Sequence, residues 1–316
     1  MRSAVVAAPG DIRIKDVPLP SPGAGQVRVR LEGCGICASN LPLWEGKPWF
    51  VYPAEPGAPG HEAWGRIDAV GEGVKGLLPG KRVTMLSYHG FADYDVADAE
   101  QVVELPSFLD GRSVPGEPLG CAMNIYARSG IKGGETVAVI GIGFMGAILT
   151  RMALANGCRV FALARRPYAL QLASSFGATT CLMDDHQRVL NEMASHTNGQ
   201  GCDVVIEATG MQWPLDLAGE LTKIRGRMVI AGYHQDGPRQ VNMQLWNWRG
   251  IDVINAHERE PSVYTRGIQE AISAMKIGLL DPFALYTHTF PLERIAEGFT
   301  TMQRRPEGFF KAMVSI

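Results

Sequence analysis

The feature that most constrains this chain is a junction at residue 141. The apolar run Thr136-Val137-Ala138-Val139-Ile140 stops there at Gly141-Ile142-Gly143-Phe144-Met145-Gly146, and helix-spaced residues continue to 156. A strand that turns at once into a helix through G-x-G-x-x-G leaves a helix N-terminus facing whatever occupies the turn. Gly141 permits the tight turn, Gly143 lets a pyrophosphate approach the backbone, and Gly146 lets the helix lie close to the strand. A ligand-free glycine turn or an S-adenosylmethionine site would use similar residues. The strand–turn–helix setting favours a dinucleotide, with Phe144 and Met145 beside it.

At 316 residues the chain is long enough for two domains. Residues 136–140, 158–163, 202–207, 227–231 and 251–255 read as buried strands, with helices at 144–156, 167–176 and 215–221. That alternation predicts an α/β unit built on a doubly wound parallel sheet of the Rossmann kind. The first 120 residues instead show short strands, such as 27–31 and 66–70, cut by Pro- and Gly-rich turns. The end of the chain holds a helix at 262–277, a return through 287–290 and a final strand at 311–316. The expected domains are 1–120 with 267–316, and 121–266 for the dinucleotide.

A net charge of −2 gives no electrostatic reason to expect nucleic acid or an anionic membrane as partner. No apolar run approaches the roughly 20 residues of a membrane span, and the N-terminus has no signal-peptide core, so a cytoplasmic protein is expected. The six cysteines (34, 37, 121, 158, 181 and 202) are too scattered for a disulfide framework. Cys34 and Cys37 have C-x-x-C spacing but lack both a thioredoxin-like setting and a second pair.

The second strand bears on the choice of dinucleotide. NAD sites place an acidic residue at its end, for the ribose 2′-hydroxyl. Here Ala164 stands at that point and Arg165 and Arg166 follow. Loss of a carboxylate beside two phosphate-binding guanidiniums favours NADP(H) over NAD(H). A solvated arginine pair at the start of a helix is the plainer alternative.

Three further segments carry chemistry: Gly35-Ile36-Cys37-Ala38-Ser39-Asn40, Gly60-His61-Glu62-Ala63-Trp64-Gly65, and Glu117-Pro118-Leu119-Gly120-Cys121. A thiolate, an imidazole and carboxylates suit a tetrahedral zinc with one open position.

With these segments the whole chain resembles the zinc-dependent alcohol dehydrogenases of the medium-chain dehydrogenase/reductase superfamily. The G-H-E-x-x-G-x5-G-x2-V pattern from Gly60 to Val74 is its most specific part. The E-P-L-x-C segment is closer to the polyol and threonine dehydrogenase branch. The resemblance implies a β-rich GroES-like catalytic domain beside the Rossmann domain, and one catalytic zinc held by Cys37, His61 and Glu62. Glu117 then takes the third-ligand position, directly or through a water. Ser39 takes the substrate's hydroxyl proton, Glu62 exchanges with water on the metal, and Cys121 and Met145 flank the nicotinamide. The implied reaction moves a hydride between the cofactor and a secondary alcohol, polyol or cyclic alcohol and its ketone.

The chain departs from its relatives in three places. The four-cysteine lobe that holds a structural zinc is missing after Gly80-Lys81-Arg82-Val83, so no structural zinc is expected. Asn40 replaces the aspartate that orients the zinc-bound imidazole, and Pro42 replaces a relay histidine. Trp44, Trp49, Tyr88, His89 and Tyr233 are expected to shape the pocket. The resemblance implies a homodimer or homotetramer paired edge to edge through the last Rossmann strand, matched here by residues 251–257, since an uncovered strand edge invites pairing. Two rival readings are a zinc-independent quinone or enone reductase on the same scaffold and a non-catalytic dinucleotide-binding relative.

Overall fold

The chain opens on a two-stranded hairpin, β1 (Arg2–Ala8) against β2 (Asp11–Asp16), followed by the long strand β3 (Gln26–Ile36). Apolar side chains alternate along β3, so Val27, Val29 and Leu31 are buried while Arg30 is exposed. After the short helix α1 (Leu41–Trp44) come β4 (Ala63–Val70), β5 (Arg82–Met85), β6 (Tyr94–Asp98) and β7 (Val102–Glu104). Helix α2 (Gly116–Ser129) then leads to the strand–helix alternation. The computed structural model describes residues 1–316, which divide into two compact units, Met1–Cys121 with Glu260–Ile316, and Ala122–Arg259.

The second unit contains β8 (Thr136–Ile140), α3 (Phe144–Ala155), β9 (Arg159–Ala164), α4 (Pro167–Phe176), β10 (Thr179–Leu182), α5 (His186–Thr197), β11 (Cys202–Glu207), α6 (Gln212–Leu221), β12 (Thr222–Ile230), α7 (Met243–Arg249) and β13 (Asp252–Asn255). Its six strands pair in parallel in the order β10-β9-β8-β11-β12-β13, so the winding reverses between β8 and β11. This is the doubly wound sheet that the alternation predicts, and β8 and β11 lie at its buried centre.

Helix α8 (Pro261–Lys276) returns the chain to the first unit, followed by β14 (Tyr286–Pro291), α9 (Ile295–Arg304) and β15 (Lys311–Ser315). The boundary expected at 266 falls inside α8, which begins at Pro261. Gly120 fixes that helix, because a Cβ there would lie 2.8 Å from the Tyr264 carbonyl oxygen. The seven-stranded sheet of this unit runs β14-β15-β3-β4-β5-β7, with β6 also paired to β3. Its core includes Phe91, Phe299 and Trp44, whose ring centroid is 5.4 Å from that of Phe299. Trp44 is therefore a core residue and not a pocket wall, because α1 lays it against α9. No helix is long and apolar enough to cross a membrane.

Candidate active site

Sheet register assembles the first group of side chains. Cys34 of β3 pairs with Ala63 of β4, and Ile36 pairs with Ala312 of β15. Antiparallel pairing on both sides therefore brings Cys37, just beyond β3, beside His61 and Glu62, just before β4, and beside Lys311, the first residue of β15. Donor atoms of Cys37, His61 and Glu62 all lie within 4.8 Å of one another. A tetrahedral ion with ligand bonds of about 2.0–2.3 Å sets its donors roughly 3.5 Å apart, so the three side chains fit zinc.

The imidazole is held from behind. His61 Nδ1 is 2.9 Å from the Pro59 carbonyl oxygen, and with the proton on Nδ1 the Nε2 lone pair is the one a metal ion could take. Asn40, which stands where relatives carry the orienting aspartate, also lies close, with its Nδ2 3.4 Å from His61 Nδ1. Its Oδ1 accepts the Cys37 backbone N–H at 3.0 Å, and its Nδ2 donates to the same Pro59 carbonyl at 3.1 Å. A backbone carbonyl thus does the work of the usual carboxylate, while Asn40 fixes the turn that carries Cys37.

Glu62 is fully buried, and Lys311 Nζ lies 2.8 Å from its Oε1 and 2.6 Å from its Oε2. Gly35 makes the space, since a Cβ there would come within 1.8 Å of Glu62 Oε2. Lys311 escapes a reading of the sequence. The only signal is a lysine opening an apolar strand, and nothing local says that it is buried.

Glu117 sits in the first turn of α2, which is pinned where Gly116 N–H donates to Thr84 Oγ1 at 2.9 Å and Thr84 Oγ1 donates to the Ala63 carbonyl at 3.0 Å. Cys121, one turn on, donates its thiol to Glu117 Oε1 at 3.2 Å. The cluster of mutually close donors consists of Cys37, His61 and Glu62, and Glu117 is near enough to act electrostatically on His61. Burial, the chief cause, raises the Glu117 carboxyl above its usual range. Burial works against a charged His61, but Cys37 foremost, then Glu117 and Glu62, overcome it and raise the ring to about 10. Burial likewise opposes the charge of Lys311, yet Glu62, Cys37 and Glu117 hold it above the ordinary lysine value. Cys37, Glu62 and Glu117 together favour a positive charge at their centre, whether proton or metal ion. Ser39, in the turn Ala38–Asn40, is half-buried and its hydroxyl makes no hydrogen bond within the chain.

The second unit carries the glycine turn. Gly141 adopts φ 97°, and a Cβ there would strike Thr209 Cγ2 at 2.4 Å. On Gly146 it would lie 2.0 Å from the Gly141 carbonyl oxygen. Gly143, the N-cap of α3, has nothing within 4 Å of that position, so no contact inside the protein requires glycine there. The open space above Gly143 is a cradle that fits a pyrophosphate. Phe144 is buried in the first turn of α3, and Met145 is half-buried. Arg165 is exposed, and Arg166 lies over the Tyr168 ring, 5.0 Å from its centroid, while bonding the Tyr168 hydroxyl. Ala164 closes β9 and is buried.

Residues 23–116 match the family described as Alcohol dehydrogenase GroES-like domain, and residues 144–273 match Zinc-binding dehydrogenase. The chain belongs to the alcohol dehydrogenase-like medium-chain dehydrogenase/reductase superfamily. Superfamily relatives include human sorbitol dehydrogenase, 28% identical over 341 aligned residues that span 96% of this chain and 92% of the relative. The (R,R)-butanediol dehydrogenase of Bacillus subtilis strain 168 is 29% identical and spans 92% of each chain. The crystal structure of 2R,3R-butanediol dehydrogenase from Bacillus subtilis superposes with a TM-score of 0.85 at 26% identity, covering 100% of this chain and 99% of that one. The 341-residue alignment is longer than this 316-residue chain, so gaps separate the two sequences. The segment 86–93 joins β5 directly to β6.

Proposed function

We propose that this member of the superfamily is a zinc-dependent dehydrogenase that moves a hydride between NADP(H), in preference to NAD(H), and a secondary alcohol, polyol or cyclic alcohol and its ketone. The observation that carries the reading is the convergence of Cys37, His61 and Glu62 within one ion's reach. The relatives named sorbitol and butanediol dehydrogenases support the substrate class.

When bound, zinc supplies Lewis-acid polarisation of the substrate oxygen, and the nicotinamide accepts or returns the hydride. Cys37, His61, Glu62 and Glu117 hold the ion, and the Pro59 carbonyl keeps His61 Nε2 turned toward it. Lys311 balances the charge of Glu62. Ser39, with an uncommitted hydroxyl beside Cys37, takes the alcohol proton in oxidation and returns it in reduction. Gly141, Gly143 and Gly146 admit the pyrophosphate, with Phe144, Met145 and Cys121 lining the cofactor. Arg165 and Arg166 meet the 2′-phosphate, for which Arg165 is free. The exposed edge of β13, with Val253 40% exposed and Trp248 of the preceding helix α7 86% exposed, supports pairing into a homodimer or a larger homo-oligomer.

The test is zinc content and NADPH and NADH binding on one purified sample, followed by rates on secondary alcohols, polyols and cyclitols. The expected result is one zinc per chain, with C37A and H61A losing both metal and activity. Full activity in metal-free protein would overturn the reading in favour of a metal-independent reductase. Faster turnover of short primary alcohols would overturn the substrate class.

A further inference from the structure

Glu207 is a fully buried carboxylate that the proposed chemistry does not use. It ends β11 and pairs in register with Ile140, the residue before the glycine turn. Its Oε1 accepts the Thr209 N–H at 2.6 Å, the Gly210 N–H at 2.9 Å and the Thr209 hydroxyl. Its Oε2 faces His234 Nε2 at 3.0 Å. Arg239 Nε donates to His234 Nδ1 at 2.9 Å, so the imidazole proton is on Nε2 and points at Glu207. Arg239 Nη2 then reaches the Gly210 carbonyl at 2.7 Å, which closes the ring of contacts.

The partners of this one carboxylate come from two loops, those after β11 and β12, at the carboxyl ends of the strands. Thr209 also supplies the methyl group against which Gly141 is fitted. The close approach is built in, because a Cβ on Gly232 would lie 2.6 Å from Glu207 Oε2. A hydrophobic residue would fill a buried position without the cost of desolvating a charge. A carboxylate satisfied by four donors instead fixes loop geometry. These loops border the point between β8 and β11 where the winding reverses, and doubly wound sheets bind ligands there.

We infer that Glu207, with His234 as its second arm, is a positioning residue that sets the loops after β11 and β12 against the nicotinamide half of the cofactor. The inference rests on the dinucleotide reading above. It separates two ends of one ligand. The adenine and pyrophosphate meet the glycine turn and the arginines, while the nicotinamide meets the loops that Glu207 organises.

The experiment compares binding of NADPH and NADH with binding of ADP-ribose and its 2′-phosphate, which lack only the nicotinamide. Wild type, E207Q and H234A are measured, with thermal unfolding on the same samples. E207Q and H234A are expected to weaken binding of the reduced dinucleotides about tenfold, as loss of one charge-assisted bond implies, and to leave the nicotinamide-free ligands within about twofold. Bound-nicotinamide fluorescence should shift in both variants. If E207Q fails to fold, H234A still decides, because it leaves the Glu207 contacts to Thr209 and Gly210 in place. Equal losses for both kinds of ligand, or no loss for either, would overturn the inference. Wild-type protein that binds none of the four ligands would overturn the dinucleotide reading itself.

Discussion

Lys311 Nζ lies within 2.8 Å of both carboxylate oxygens of Glu62, and both side chains are buried. Glu62 adjoins the proposed ligand His61, so the pair ties the last strand of the chain to the metal cluster. Replacing Lys311 by methionine keeps the volume and strands a buried carboxylate. The expected cost is about 3–5 kcal/mol in urea unfolding, with partial recovery in the double variant K311M/E62Q. A single variant as stable as wild type would show that the pair is structurally idle.

In metal-free protein, His61 is raised from 6.5 to about 10. A group raised on folding adds stability that is complete below its unfolded value and disappears as pH climbs through the folded one. Metal-free protein should therefore lose stability between about pH 6.5 and 10. Zinc needs the same nitrogen without its proton. Its affinity should rise across that window by up to about tenfold per pH unit, read by competition with a chelator. A flat affinity would remove His61 from the ligand set.

The glycines of the turn make opposite predictions. G143A meets open space and should fold as well as wild type, yet weaken dinucleotide binding at least about tenfold. G146A would press on the Gly141 carbonyl at 2.0 Å and should lower the unfolding midpoint whether or not cofactor is present. Circular dichroism melts and NADPH titrations on the two variants check both.

Arg165 is exposed and makes no hydrogen bond or ion pair, while Arg166 is committed to Tyr168. R165A should therefore weaken NADPH about tenfold and leave NADH unchanged, as expected for one lost phosphate contact. Equal effects on the two cofactors would assign the residue to solvent.

Strand β13 has a free edge, and V253K places a charge on it. The variant should sediment as a smaller species than wild type in analytical ultracentrifugation, with its monomer still folded. Unchanged sedimentation would place the subunit contact elsewhere.

Much of the second unit was legible because its signals are local. The strands expected at 136–140 and 202–207 and the helix at 167–176 match β8, β11 and α4. Each is marked by an unbroken apolar run or by proline at a helix start. Strand β10 and helices α5 and α7 have no counterpart in the sequence reading. Strand β10 buries only Cys181, and α5 buries only Val189 and Met193, so neither shows a strong apolar face. The Asp185 side chain that caps α5 by accepting the Arg188 N–H was the available signal. Strand β12 begins at Thr222 and not 227, because an irregularity with Arg225 at φ 57° interrupts its ladder without ending it.

The sequence by itself determined the strand–helix alternation of the second unit, the glycine turn and the candidate donor residues, since each depends on neighbours along the chain. Tertiary structure alone decided that Lys311 faces Glu62, that Pro59 orients His61, that Trp44 belongs to the core and that Glu207 joins two loops. Those partners are far apart in the chain or meet through backbone atoms. Only strand register and packing, which minimise buried unpaired charge and empty space, bring them together.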